Sequence, residues 1–377
     1  MVTVEVSSTF AEVDKDAWAS LRDSTEFSTA AWVQPILERV TPNSRFWYVT
    51  IERNGYAVLG AALCSMDVNI TTLADARTKR VLASLGPILD SRSSLKVLMC
   101  GTPMSGGQRA LLVGERQGLA EPLMALDAVM NDIAADIRAD ILLYKEMATE
   151  DAGAIEHLRT LGYTVAQTPF MYSLPAQWRS FDLYLDSLRS HYRLDIRRSL
   201  RKATESGLRF QRLSGADAAV SYSEGAHLLY VNVVNAAEYR LELLRRQFFT
   251  SLAETAPEQV TLTQAFLNEE LVGFNWSIAN ESVYKLLFCG LDYAVNRQAD
   301  VYFNLMYEEL STALSGNTRG VIEFGQTADQ FKARLGCNPS PRYVCVKARK
   351  LRWKITLNVG GRYLFPKQSG AMRRVFK

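Results

Sequence analysis

Between Arg45 and Leu63 the sequence RFWYVTIERNGYAVLGAAL sets two β-rich runs on either side of Asn54 and Gly55. That pair suits the positive φ angles of a tight hairpin turn. Further strands are predicted at LKVLMC, ALLVG and ILLYKEM, while GLAEPLMALDAVMNDIAADIRAD carries apolar residues at helical spacing and should cover one sheet face. In EDAGAIEHLRTLGYTVAQTPFMYSLP a short helix stops at Gly162 and a strand follows, which closes a first half near Leu174. The helical segments SFDLYLDSL and RSHYRLDIRR then lead into a second series. It runs through LRFQRLSG and two helical stretches to the meander QVTLTQAFLN, LVGFNWSIAN and SVYKLLFCGLD, with turns at 268–270 and 280–281. The helix YFNLMYEELSTALSG, the strand GVIEFG, the short helix TADQFKARLG closed by Gly336, and the strand RYVCVKARK complete it. The halves share an order of elements but no sequence identity, so the repeat is one of pattern.

A length of 377 residues suffices for two hydrophobic cores, and 48% hydrophobic with 22% charged residues is the composition of a folded globular chain. No apolar run approaches the roughly 20 residues of a membrane span, and the first ten residues lack a signal's basic start and apolar stretch. Cys64, Cys100, Cys289, Cys337 and Cys345 are odd in number and form no CxxC pair. Buried free thiols in the cytoplasm are therefore expected, with no structural zinc and no metal site.

The net charge is only +3, but it is unevenly spread. From Arg342 to Lys377 there are 11 Lys and Arg and no acidic residue, which leaves −8 on the rest of the chain. Within RSHYRLDIRRSLRKATESG, Arg189, Arg193, Arg197 and Arg201 recur every four residues, joined by Arg198 and Lys202. On a helix they form one stripe. A solvated helix face accounts for an isolated cluster of this kind, and a phosphate-binding surface accounts better for two clusters in one chain.

The stretch YLDSLRSHYRLDIRRSLRKATESGLRF, together with LVGFNWSI, LFCGLD, YFNLMYEELSTALSG and IEFGQTADQFKARLG, resembles GNAT-like proteins related to the FemABX peptidyltransferases. The resemblance extends over about Trp178 to Lys347 and is weaker in the first half. It implies an α/β (α+β) chain of two tandem GNAT-like domains, each a mixed, mostly antiparallel sheet flanked by helices. The expected division is 1–174, a basic helical connector 175–207, a second domain 208–350 with the active site, and a basic tail 351–377. The implied activity is amide formation, by transfer of an amino acid from aminoacyl-tRNA, or of another acyl group from a thioester, to an amine. A small-molecule amine is the expected acceptor, either a metabolite or a peptidoglycan-like precursor, and no stable protein partner is expected.

Amide formation needs a neutral amine, a donor for the developing oxyanion and an acid for the leaving group. Glu323, on the strand before Gly325, is the candidate base, and a surface carboxylate at a strand end is its plain alternative. Tyr302 and Tyr307 are the candidate acids, although core tyrosines look the same in sequence. The substrate-binding set is Trp276, Cys289, Gln326 and Lys332, with Arg334 also able to meet an anion. The tRNA-binding set is Arg193, Arg197, Arg198, Arg201 and Lys202. His157, His191 and His227 fall in different elements and offer no histidine base. Acyl-CoA users of the GNAT fold hold a pyrophosphate on a Q/R-x-x-G-x-G/A loop; here that stretch is Arg297-Gln298-Ala299-Asp300-Val301-Tyr302, without either glycine and with a repelling carboxylate. Aminoacyl-tRNA is therefore preferred as co-substrate, with no cofactor. Acyl-CoA-dependent N-acylation of an amino sugar, and a nucleic-acid-binding protein without enzymatic activity, are the alternatives.

Overall fold

The computed structural model describes residues 2–21, 26–41, 43–69, 94–109, 111–114, 118–237, 243–316, 320–351, 353–354 and 369–377. It divides into two compact units. One comprises the described residues of Met1–Pro169, Glu238–Leu244 and Pro341–Ser369; the other those of Phe170–Ala237, Arg245–Ser340 and Gly370–Lys377.

In the first unit, strands Val2–Ser7, Arg45–Arg53, Tyr56–Asn69 and Ser94–Cys100 follow one another antiparallel. The predicted hairpin is there, with Arg53 opposite Tyr56 and both Asn54 and Gly55 at positive φ. Strand Ser94–Cys100 then pairs parallel with Ile141–Ala148, across a connection that includes the helix Ala120–Asp136. That helix buries Leu123, Leu126, Met130 and Ala134 against the apolar sheet face, as its spacing requires. The last strand of this sheet is Arg342–Ala348, antiparallel to Ile141–Ala148.

The second unit repeats the plan. Strands Arg209–Ser214, Val260–Leu267, Glu270–Ala279 and Val283–Leu291 run antiparallel in order. Val283–Leu291 then pairs parallel with Val321–Gly325, and residues 172–175 of strand Thr164–Pro175 close the sheet antiparallel. The helix Val301–Ser315 buries Leu305, Met306, Leu310, Ala313 and Leu314 on one face of this sheet. Tyr222, Phe248, Phe249, Phe274, Trp276 and Phe288 interlock on an aromatic cluster of mostly edge-to-face contacts.

Each unit therefore receives its last strand from a distant stretch of chain, residues 342–348 in the first and 172–175 in the second. A division drawn in chain order, at 174 and 350, cuts across that exchange, because hydrogen bonding and not sequence proximity decides where a strand belongs. The tail also departs from expectation. Residues 352 and 355–368, Lys367 among them, lie outside the described residues, but the last residues are built into the second unit. Val375 is wholly buried, Phe376 stacks on Trp178 at 5.1 Å, and the Arg189 and Lys377 amides donate to Val375 and Ser187 carbonyls. Among the described residues no helix is long and apolar enough to cross a membrane.

Candidate active site

The two parallel strands of the second unit pair only over Val283–Lys285 and Val321–Glu323. Beyond that register Val283–Leu291 keeps only its antiparallel partner Glu270–Ala279, while the chain on its other side bulges between Glu323 and Gly325. The separation opens a wedge, and residues 287–289 on its wall become partly exposed.

The turn on the other side is strained. Gly325, Thr327 and Ala328 all have positive φ, at 73°, 63° and 53°. Glycine adopts this freely, whereas a β-branched residue there costs on the order of 1–3 kcal/mol and persists only where its surroundings fix it. Here Lys332 fixes it: from the helix Asp329–Arg334, its Nζ donates to the Gly325 carbonyl at 2.9 Å and to the Gln326 carbonyl at 2.7 Å. Only 2% of Lys332 is exposed. Burial pushes its ammonium down to about 7, with the Lys285 charge working in the same direction. An ammonium has three hydrogens, so two carbonyls leave one free for a third acceptor. A side chain of this kind holds or releases a proton near neutral pH.

Glu323 stands opposite Lys285 in the strand register and accepts its ammonium hydrogen bond as an ion pair. Lys285 is fully buried. The carboxylate predicted as a proton acceptor is thus already engaged with a buried ammonium. Its electrostatic role is to neutralise Lys285. Lys285 was missed in the sequence; its signal is a lone lysine inside the apolar run VYKLLF.

Tyr302 and Tyr307 lie on the helix Val301–Ser315 and pack around Phe331, with ring centroids 5.5 and 6.1 Å from it. Burial pushes both hydroxyls well above the ordinary tyrosine value, so each holds its proton firmly. Cys289 is partly exposed on the wedge wall, and burial pushes its thiol up to about 11. Gln326 contributes its carbonyl to Lys332. Trp276 does not join them: it is fully buried in the aromatic cluster, stacked on Phe249 at 6.1 Å. Arg334 is exposed on the outer side of its helix.

The arginine stripe divides. Arg189 precedes the helix Ser190–Glu205 and its Nε donates to the Phe376 carbonyl. Arg193 is half-buried near the Asp186 and Leu188 carbonyls. Arg197, Arg198 and Arg201 are exposed. Lys202 lies along the surface, donating to the Arg297 carbonyl at 2.6 Å and pairing with Asp300 at 2.7 Å, while Ser206 Oγ donates to the Gln298 carbonyl. Asn304 completes the attachment by donating to Ser199. The connector helix thus holds the carbonyls of the turn 297–302, while Asn296 takes its amides, the carbonyl accepting from Asp300 and Oδ1 from Tyr302; Asp300 sits there at φ 49°.

The sequence profile of the FemAB-like family, described as peptidoglycan biosynthesis and recognition, matches residues 95–350. No curated protein matches the chain. Among solved structures, FemX aligns with a TM-score of 0.57 at 11% identity, covering 94% of this chain and 99% of that one. A tandem GNAT protein from the clavulanic acid biosynthesis pathway gives 0.53 at 12%, covering 92% and 98%. The C-terminal domain assigned to a lysylphosphatidylglycerol synthetase of Agrobacterium fabrum gives 0.54 at 9%, covering 97% and 100%. At such identities the likeness establishes the tandem GNAT-like fold.

Proposed function

The chain belongs to the FemAB-like family and is an acyltransferase of that family; from this premise we propose that its donor is aminoacyl-tRNA and its acceptor the amine of a peptidoglycan-type precursor. The observation that carries the choice of donor is the sealed turn at 297–302. A coenzyme A pyrophosphate needs open backbone amides there, and instead the Asp300 amide donates to the Asn296 carbonyl and the Tyr302 amide to Asn296 Oδ1 at 3.0 Å. An aminoacyl ester on a ribose makes no such demand. The exposed Arg197, Arg198 and Arg201 offer phosphate contacts to the nucleic acid. A tRNA donor also places the reaction in the cytoplasm, where tRNA is charged.

In this reading the acceptor amine attacks the ester carbonyl in the wedge, the new C–N bond forms, and the C–O bond to the ribose breaks. The attacking nitrogen loses a proton and the departing oxygen gains one. Lys332 is the group suited to carry it, because its amine is poised near neutrality and its free hydrogen can meet the oxyanion between the two steps. Lys285 and Glu323 fix the vertex of the wedge as a neutral pair.

The test is transfer from total tRNA charged with labelled amino acids to peptidoglycan precursors, alongside calorimetric titration with coenzyme A. Label in the precursor without coenzyme A binding is expected. Clear coenzyme A binding with no transfer from charged tRNA would reverse the assignment.

A further inference from the structure

Lys332 is held by more than the carbonyls of its own turn. The ring of Tyr172 stands 5.7 Å from Nζ. Tyr172 lies opposite Gly325 in the strand register and is itself fully buried. Its hydroxyl accepts a hydrogen bond from the Ala371 amide at 2.8 Å and donates one to the Asp329 carboxylate. From Ala371 the chain runs on to Arg373, which donates to Gln330 Oε1 at 2.9 Å on the helix that carries Lys332. Val375 is buried, and Phe376 closes over Gly336 at the end of that helix, where φ is +81° and a side chain would collide with the ring. The same short segment therefore grips the helix at both ends and the aromatic ring that faces its lysine.

We propose that Tyr172 is a positioning residue for the Lys332 amine, and that the C-terminal segment Gly370–Lys377 holds Tyr172 in place. The proposal extends the reading of Lys332 as the proton carrier. An aromatic face attracts a cation, so the ring favours the ammonium against the desolvation that lowers it. The other groups facing the amine are Asp329 on its own helix, Cys337 beyond it, Cys289 on the strand Val283–Leu291, and Lys285. Asp329 favours the ammonium and Lys285 opposes it. Burial pushes the thiols of Cys289 and Cys337 up to about 11 and about 12, so both are neutral near pH 7. The ring is thus the contact that can be weakened without altering any charge.

The experiment follows the NMR titration of Lys332 in the full chain with lysine labelled at Cε, the signal being assigned by its loss in Lys332→Arg. Position 172 carries Tyr, then Phe, then phenylalanines of increasing fluorination, which drain the ring's negative face while keeping its shape. Tyr172→Phe removes the hydroxyl's bonds to the Ala371 amide and to the Asp329 side chain and should speed amide exchange across residues 329–337 and 371–377, and its midpoint is the reference for the fluorinated rings. Fluorination should then lower the midpoint stepwise, by about one pH unit in the most fluorinated ring. A midpoint indifferent to fluorination overturns the ring's role, and unchanged exchange in Tyr172→Phe overturns the latch. The titration reads the amine with no substrate present, so it stands or falls separately from the choice of donor.

Discussion

Replacing Lys332 with methionine keeps the length of the stem and removes the charge, the proton and both hydrogen bonds to the strained turn. Its effect on stability depends on pH in a direction fixed by burial. The folded-state value, about 7, lies below the ordinary 10.5, so between them the unfolded chain binds the proton and the folded chain does not. Stability then rises with pH across that window, the reverse of a lysine that gains a partner. For a side chain only 2% exposed, linkage gives a gain of about 2 kcal/mol from about pH 7 to about pH 9, and little change below. The raised thiols of Cys289 and Cys337 oppose it in the alkaline range, since they keep protons that the unfolded chain loses, but they are common to both proteins. The difference between parent and Lys332→Met isolates the lysine. Urea unfolding at the two pH values should show the parent gaining about 2 kcal/mol relative to the variant. Parallel pH profiles would refute both the burial argument and the place of Lys332 as a group poised near neutrality. Transfer should fall by ~10² to 10⁴ in the same variant.

Changing Arg197, Arg198 and Arg201 together to glutamate should weaken tRNA binding strongly and flatten its salt dependence while leaving the melting temperature nearly unchanged, because all three are exposed; a gel shift over a salt series checks this. Glu323→Gln breaks the ion pair with the buried Lys285 ammonium and should cost about 3–5 kcal/mol, and a second change, Lys285→Met, should recover most of it. Independent, additive losses in denaturant melts would show that the two residues are not a coupled pair. Phe376→Ala opens a gap beside Trp178 and Gly336 and should destabilise the chain by about 3 kcal/mol. A thermal melt equal to that of the parent would return the chain's last residues to the role of a purely electrostatic tail.

Much of this protein was legible in its sequence, and for a physical reason: strands, helices and turns are set by local periodicity and backbone preference. Asn54 and Gly55 announce their hairpin, Gly336 its helix end, and the order of elements announces two similar units. Lys332 was a candidate there as a residue able to meet an anion, with no sign of its burial. Local pattern carries no information about which distant strands pair, and that decided the rest. Strand exchange brings Tyr172 against the turn at Gly325, packing of the helix Asp329–Arg334 behind that turn buries Lys332 and tunes it, and the register that sets Lys285 against Glu323 places a predicted base in an ion pair. Trp276 and Lys202 show the same limit: sequence gives their chemistry, but only packing decides that one is core and the other seals a turn. Composition and spacing are properties of neighbours along the chain, whereas desolvation and charge pairing are properties of neighbours in space.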